Sequence, residues 1–290
     1  MLIWFVLAAA SLIFVIWDSI TNAPTSWVQR AAWILVVVYT GVVGLILYLL
    51  ACRRPFPGGH DAYTRASWKQ GVNSEMHCLA GDATGIVIAA AIVPALGLLN
   101  GWDVTIEYFA GFVCGLFIFQ ALMMVGMYQG NYLMAVRKTF FAETVSMNMV
   151  MAGMIPTMVV LTAAWPESED PTGPAFWFRM GLASLAGGVI AYPVNRWLVK
   201  NHLKHGCMTL PGRDAPAPWL GHRSPEHEQH GTVPGTSGQP QHAREGHEGH
   251  GMMMRELPFS AATAWVLATF VFLLLAILVT DRFVPIRFNY

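Results

Sequence analysis

Polar residues in this chain fall into short breaks between long apolar runs. Runs of about 20 apolar residues, the length a helix needs to cross hydrocarbon, recur at Leu2–Ile20, Ala31–Ala51, Met76–Leu99, Val104–Tyr128, Thr144–Ala164, Phe176–Val199 and Phe259–Thr280. Lipid offers no hydrogen bonds to a backbone, so only helices and closed barrels span it. These runs are too long and too continuous for the alternating strands of a barrel. The fold class expected is all-α, a polytopic integral membrane helical bundle of about seven transmembrane helices. The first run has no basic segment before it and no small-residue cleavage site, so it is expected to be retained as a helix.

Composition agrees with the pattern. The chain is 55% hydrophobic and 12% charged, with a formal net charge of zero. A soluble domain carries about twice that charged fraction. Thirteen of the 17 Lys and Arg residues fall in the breaks after the second, fourth and sixth runs or, for Arg196, in the last turn of the sixth run. The positive-inside rule then places those breaks and the N-terminus in the cytoplasm of an inner membrane, with the C-terminus outside. Spread this way, the basic residues are topology signals and give no support for nucleic-acid binding. The expected partners are the lipid bilayer, a metal ion and a further membrane protein.

The organisation expected is a six-span core over residues 1–201, a loop over 202–257, and a last helix with a short tail over 258–290. The loop is rich in Pro, Gly, His, Glu and Gln and nearly lacks large apolar residues, so it cannot bury a core and reads as disordered. It carries one ladder twice, H-x4-H-x2-H, at His222, His227 and His230 and again at His242, His247 and His250. Met252, Met253 and Met254 follow. Neutral imidazoles are common transition-metal ligands, and thioethers add a soft one. Ligation needs the neutral ring, so affinity should fall as pH drops through about 6.5.

The third run carries the densest chemistry. Glu75, Cys78 and Asp82 fall at i, i+3 and i+7, on one helical face, with His77 beside them. An ionisable group inside an apolar span is costly and should face a partner or a cavity. These residues can coordinate a metal or relay protons; the alternative has Glu75 capping the helix and Asp82 paired across to another helix. Gly81 and Gly85 read as a packing face. The fifth run has a stripe at Met147, Met151, Met154 and Met158, extended by Glu143. Stacked thioethers can pass Cu(I), although a methionine stripe more often fills a core. Of the four cysteines, Cys52, Cys78 and Cys207 lie on the side assigned to the reducing cytoplasm, which argues against disulfides and allows them to meet at one mouth. Pro193 should kink the sixth helix and Asn195 can bond across to another. His202, His205, Cys207 and Met208 follow as a compact donor set.

Several dispersed motifs together resemble the uncharacterised membrane family DUF4396, from Met76 to Met208. They are His77-Cys78 with Gly81-Asp82, Glu143-Thr144-x-Ser146 with Gly153-Met154, Pro174-x-Phe176-Trp177, and Pro193-x-Asn195-x-Trp197-Leu198 with Lys204 and Met208 beyond. Trp17-Asp18 fits the family's N-terminal helix, and Glu143 stands where the family more often has Asp. The resemblance implies a polytopic α-helical inner-membrane protein and no particular activity.

Two functions follow from these residues. One is transition-metal transport, buffering or delivery, with copper ahead of zinc or nickel. The loop would collect the ion, and Glu75, His77, Cys78, Asp82, Met147, Met151 and Met154 would carry it. No phosphate-binding loop is present, so transport would be passive or ion-coupled, and no internal repeat of spans favours it. The other is a non-catalytic subunit or assembly factor of a larger respiratory or copper-enzyme complex. No metalloprotease or hydrolase motif names a catalytic residue.

Overall fold

The computed structural model describes residues 2–210, 213–214 and 254–288. Among them the chain is built of α-helices, with one isolated antiparallel bridge between Thr25 and Thr209. The helices are α1 (Leu2–Thr21), α2 (Trp27–Thr40), α3 (Val42–Ala51), α4 (His60–Thr64), α5 (Ser67–Ile92), α6 (Asn100–Val113), α7 (Ala121–Met124), α8 (Tyr132–Ala164), α9 (Pro174–Lys200) and α10 (Phe259–Asp281). Six stretches among the described residues are long and apolar enough to cross a membrane. The protein is a multi-pass helical bundle.

The expected second span is not one helix. It is α2 and α3, broken at Gly41, whose φ of 56° lies in the region that disfavours side chains. A Cβ there would also press on Ala8 and Trp4 of α1. The third helix begins at Ser67, well before the apolar run at Met76. Glu75 is therefore two turns inside α5 and does not cap it. The fourth span runs from α6 through a π-helical stretch, Cys114–Gln120, into α7. α9 continues through Pro193 to Lys200.

Local chemistry starts and stops several of these elements. The Ser26 hydroxyl accepts from the Gln29 amide to cap α2, and Asn131 accepts from Met134 to cap α8. Pro174 opens α9, where its missing N–H costs nothing. Glycines then let the helices approach closely. Gly81 and Gly85 of α5 face Gly115, Ala110 and Gly111, and Gly153 of α8 faces Ala186 and Gly187 of α9. Gly81 and Gly85 thus form the packing face expected of them. α1 and α10 are the least covered of the long helices, and α10 shows large side chains on most of its surface.

Residues 202–210 do not behave as part of a disordered loop. Leu203 and Lys204 are buried, and the Leu210 amide donates to the Pro24 carbonyl. Arg255 donates its amide to the His202 carbonyl. The two ends of the long connection are therefore tied to the bundle near each other. Leu203 supplies the apolar contact that composition averaged away, by packing with Ala142 and Leu198.

Candidate functional site

Three carboxyl groups, a thiol and an amine meet inside the bundle. Glu75, Cys78 and Asp82 come from α5, as their spacing predicts. α8 adds Glu143 and Ser146, α9 adds Asn195, and the segment after α9 brings in Lys204. Each of these side chains is buried. Cys78 Sγ donates to Glu143 Oε2 at 3.0 Å, and Lys204 Nζ donates to Cys78 Sγ at 2.6 Å and to Asn195 Oδ1. Lysine only donates, so Asn195 must turn its oxygen to Lys204. Its amide nitrogen then donates to Ser146 Oγ at 2.7 Å and to Glu75 Oε2. Asn195 thereby joins α5, α8 and α9, the cross-helix role expected of it.

Four of the cluster's carboxyl oxygens have no hydrogen-bond donor among the described residues. They are Glu75 Oε1, both oxygens of Asp82, and Glu143 Oε1. Asp82 Oδ1 and Glu143 Oε1 both crowd the space where Gly115 would carry a Cβ. Gly115 lies in the π-helical stretch, a distortion that often marks functional sites. Two facing carboxylates cannot both stay charged unless a proton or cation lies between them. With every carboxyl ionised and the thiol neutral, three negative charges face one ammonium, a net charge of −2. Two protons or one divalent cation would cancel it. Burial works against the charge on Lys204, but Cys78, Glu143 and Glu75 outweigh it and hold the amine above its ordinary value.

The other expected site residues are dispersed. His77 is buried, its Nε2 has no partner among the described residues, and it shares no hydrogen bond with the cluster. Met147, Met151 and Met154 are fully buried members of the apolar core. Met147 comes nearest the cluster, since its terminal methyl and the Asp82 carbonyl both border Gly111. Met154 packs on Gly187. His222, His227, His230, His242, His247 and His250 lie outside the described residues. The expected meeting of three cysteines splits: Cys52 and Cys207 come together, while Cys78 lies with the carboxyl groups.

Lys204 stands in the sequence as a topology signal and as a motif residue, and neither reading turns it into the bundle. Glu143 stands there as the end of a methionine face and as a motif residue with Ser146, not as a partner of Cys78. Its spacing to Ser146 within α8 was the available signal, since i and i+3 share a face.

A helical membrane bundle with an ionisable, thiol-bearing core is the class of protein these features define. Residues 67–204 match the family model described as Domain of unknown function (DUF4396), as the sequence motifs anticipate. The match runs from the first residue of α5 to Lys204 and so contains every side chain of the buried cluster. Trp17-Asp18, Met208 and α10 lie beyond it. No curated protein and no solved structure matches the chain.

Proposed function

We propose that this protein handles a divalent transition-metal ion in the inner membrane, moving, buffering or delivering it in exchange for protons at the buried cluster. The observation that carries this reading is a set of three buried carboxyl groups, with four donorless oxygens, facing a single amine beside a thiol. Such a site is neutral with two protons or with one M2+, and each state releases the other's cargo. Oxygen donors with a single sulfur suit a divalent ion better than Cu(I). Cu2+ heads the stability order for divalent ions, with Ni2+ and Zn2+ behind it. That keeps copper first but shifts its oxidation state. The histidine ladder would gather the ion on the cytoplasmic side, and Glu75, Cys78, Asp82 and Glu143 would hold it, with Lys204 balancing the charge.

The test is elemental analysis of the detergent-purified protein, with the proton release on metal addition measured by a pH indicator. Asp82→Asn with Glu143→Gln should lose one equivalent of divalent metal and its accompanying protons. If the double variant binds as much metal as the parent, the reading is wrong.

The second reading, a non-catalytic subunit of a larger membrane complex, is favoured by the uncovered apolar surface of α10. In that case the cluster is interhelical glue and carries no cargo. Stoichiometric membrane partners after mild detergent extraction, with no metal at the cluster, would select it.

A further inference from the structure

A second set of ligands lies outside the buried cluster, where the chain leaves α3 and again where it leaves α9. Cys52 follows α3, held by its amide donating to the Tyr48 carbonyl at 3.0 Å. His60 opens α4, and its amide donates to Asp214 Oδ2 at 2.8 Å. Cys207 is fixed by its amide donating to Gln70 Oε1 at 3.0 Å. Cys207 is far in sequence from the other two, yet Cys52 Sγ, a His60 ring nitrogen and Cys207 Sγ all lie within 4.8 Å of one another. His60 Nε2 is 3.8 Å from Cys207 Sγ. A nitrogen and a sulfur bound to one zinc-sized ion sit about 3.6–3.8 Å apart, given bond lengths near 2.05 and 2.3 Å and angles of about 110–120°.

We propose that Cys52, His60 and Cys207 form a binding site for a d10 cation, Zn2+ or Cu+. The site is separate from the carboxyl cluster and stands whether or not that cluster carries metal.

The hydrogen bonds around His60 support the assignment. Thr209 Oγ1 donates to Asp61, so it can only accept from His60 Nδ1, 2.7 Å away. That fixes a proton on Nδ1. Nε2 lies 2.9 Å from the Cys52 carbonyl, also an acceptor. Two acceptors flank one ring, so Nε2 must carry a second proton or a cation. An imidazole oriented through Nδ1 by a hydroxyl–carboxylate chain, with Nε2 on the side of the Cys207 sulfur, is how metal-bound histidines are commonly held. Gln29 completes the surroundings, with Nε2 at 3.1 Å from Cys207 Sγ and 3.6 Å from Cys52 Sγ. Such donors favour thiolate over thiol. Cation binding would release the protons of both thiols and the one on Nε2, and no electron changes hands.

The site also has an approach. A cavity of 410 Å³ is bordered by Cys207, Met208, His202 and His205. Cys52 and His60 are buried behind it. Access from one side, with a closed back, suits a site that receives an ion and passes it on.

The experiment uses the full-length chain, reduced, in detergent, titrated with Co2+ as a spectroscopic probe. Thiolate-to-cobalt charge-transfer absorption is blind to histidine-only binding, so the ladder does not contribute. One equivalent should develop this band, and Zn2+ or Cu+ should abolish it; the tighter competitor identifies the ion. Cys207→Ser and Cys52→Ser should each remove the band, and His60→Gln should weaken Co2+ binding by about tenfold or more. Cys78→Ser and Asp82→Asn should leave it intact, which separates this site from the buried cluster. Retained helical circular dichroism shows that a silent variant is folded, and failure of both serine variants to fold would leave His60→Gln as the deciding case. A parent without the band, a band that survives Cys207→Ser, or a Cys52–Cys207 disulfide in the reduced preparation would overturn the proposal.

Discussion

The buried carboxyl cluster and the Cys52–His60–Cys207 group share one short segment of chain, yet they are built on opposite principles. Lys204 turns into the first, and Cys207, three residues on, turns into the second. The first is mostly oxygen, sets three carboxyl groups against one amine, and is clamped by α5, α8, α9 and the π-helical stretch. The second is sulfur and imidazole, and it is assembled from helix ends and tethered loops. Helix interiors fix geometry by packing and suit a site that must hold charge in a dry place. Helix ends fix geometry by individual hydrogen bonds and leave one side open. The difference teaches that the chain gathers its buried carboxyl groups between helices and pairs two of its thiols with an imidazole at helix ends, with residues 204–207 reaching both.

The strongest way to break this contrast is to remove the one cation of the buried cluster. Lys204→Met leaves Cys78, Glu143 and Glu75 facing one another without a counter-charge. Breaking a buried charged pair from one side typically costs about 3–5 kcal/mol. The variant should unfold at clearly lower temperature in detergent. Adding Glu143→Gln should recover part of that loss, because it removes one of the charges left unmatched. If Lys204→Met unfolds as the parent does, the amine is not balancing the cluster.

A smaller effect should follow from Gly115→Ala. The new methyl would land on Asp82 Oδ1 and Glu143 Oε1, both held by packed helices. Overpacking of this kind costs about 1–3 kcal/mol. It should lower thermal stability and the metal bound at the cluster, while the thiolate band at Cys52 and Cys207 stays unchanged. A loss of both signals together would mean that the two regions are one cooperative site.

These two regions also differ in how far the sequence reveals them. The bundle was readable from apolar run length, because hydrocarbon thickness fixes helix length directly. The face of Glu75, Cys78 and Asp82 was readable because all three lie on one helix, where spacing sets direction. Asn195 as a bridge was readable for the same reason of chemistry in an apolar span. His60 was not, since its place depends on Asp214 and Thr209, both distant in sequence. Lys204 was hidden by its position: a lysine just past a span reads as a topology signal, and only the turn after α9 sends it back inside. The break at Gly41 was missed because an apolar run shows no sign of a backbone that reverses its φ.

Thr209→Val sharpens the comparison from the other side. It keeps the size of the side chain but removes the acceptor for His60 Nδ1. Losing an outer partner of a ligating histidine typically lowers metal affinity by about 10–100-fold. The backbone bond from Leu210 to Pro24 stays, but the buried His60 Nδ1–H loses its acceptor, so stability without metal should fall by about 1–3 kcal/mol. Cobalt titration reads the first effect and thermal unfolding the second. Unchanged affinity would remove His60 from the ligand set.

The smallest effect on the bundle should come from deleting Gly221–Met254, although it removes six of the ten histidines. The connection is anchored before it by Leu210 on Pro24 and after it by Arg255 on His202, so both fixed sites keep their frames. The described ligand candidates of both sites lie outside the deleted stretch. Total bound metal by elemental analysis should fall by what the imidazoles of the ladder hold. The cobalt–thiolate band and the equivalent tied to Asp82 and Glu143 should remain, filled more slowly at low metal concentration. Loss of either one with the ladder would show that the ladder supplies ligands to a fixed site, and the separation of gathering from holding would fail.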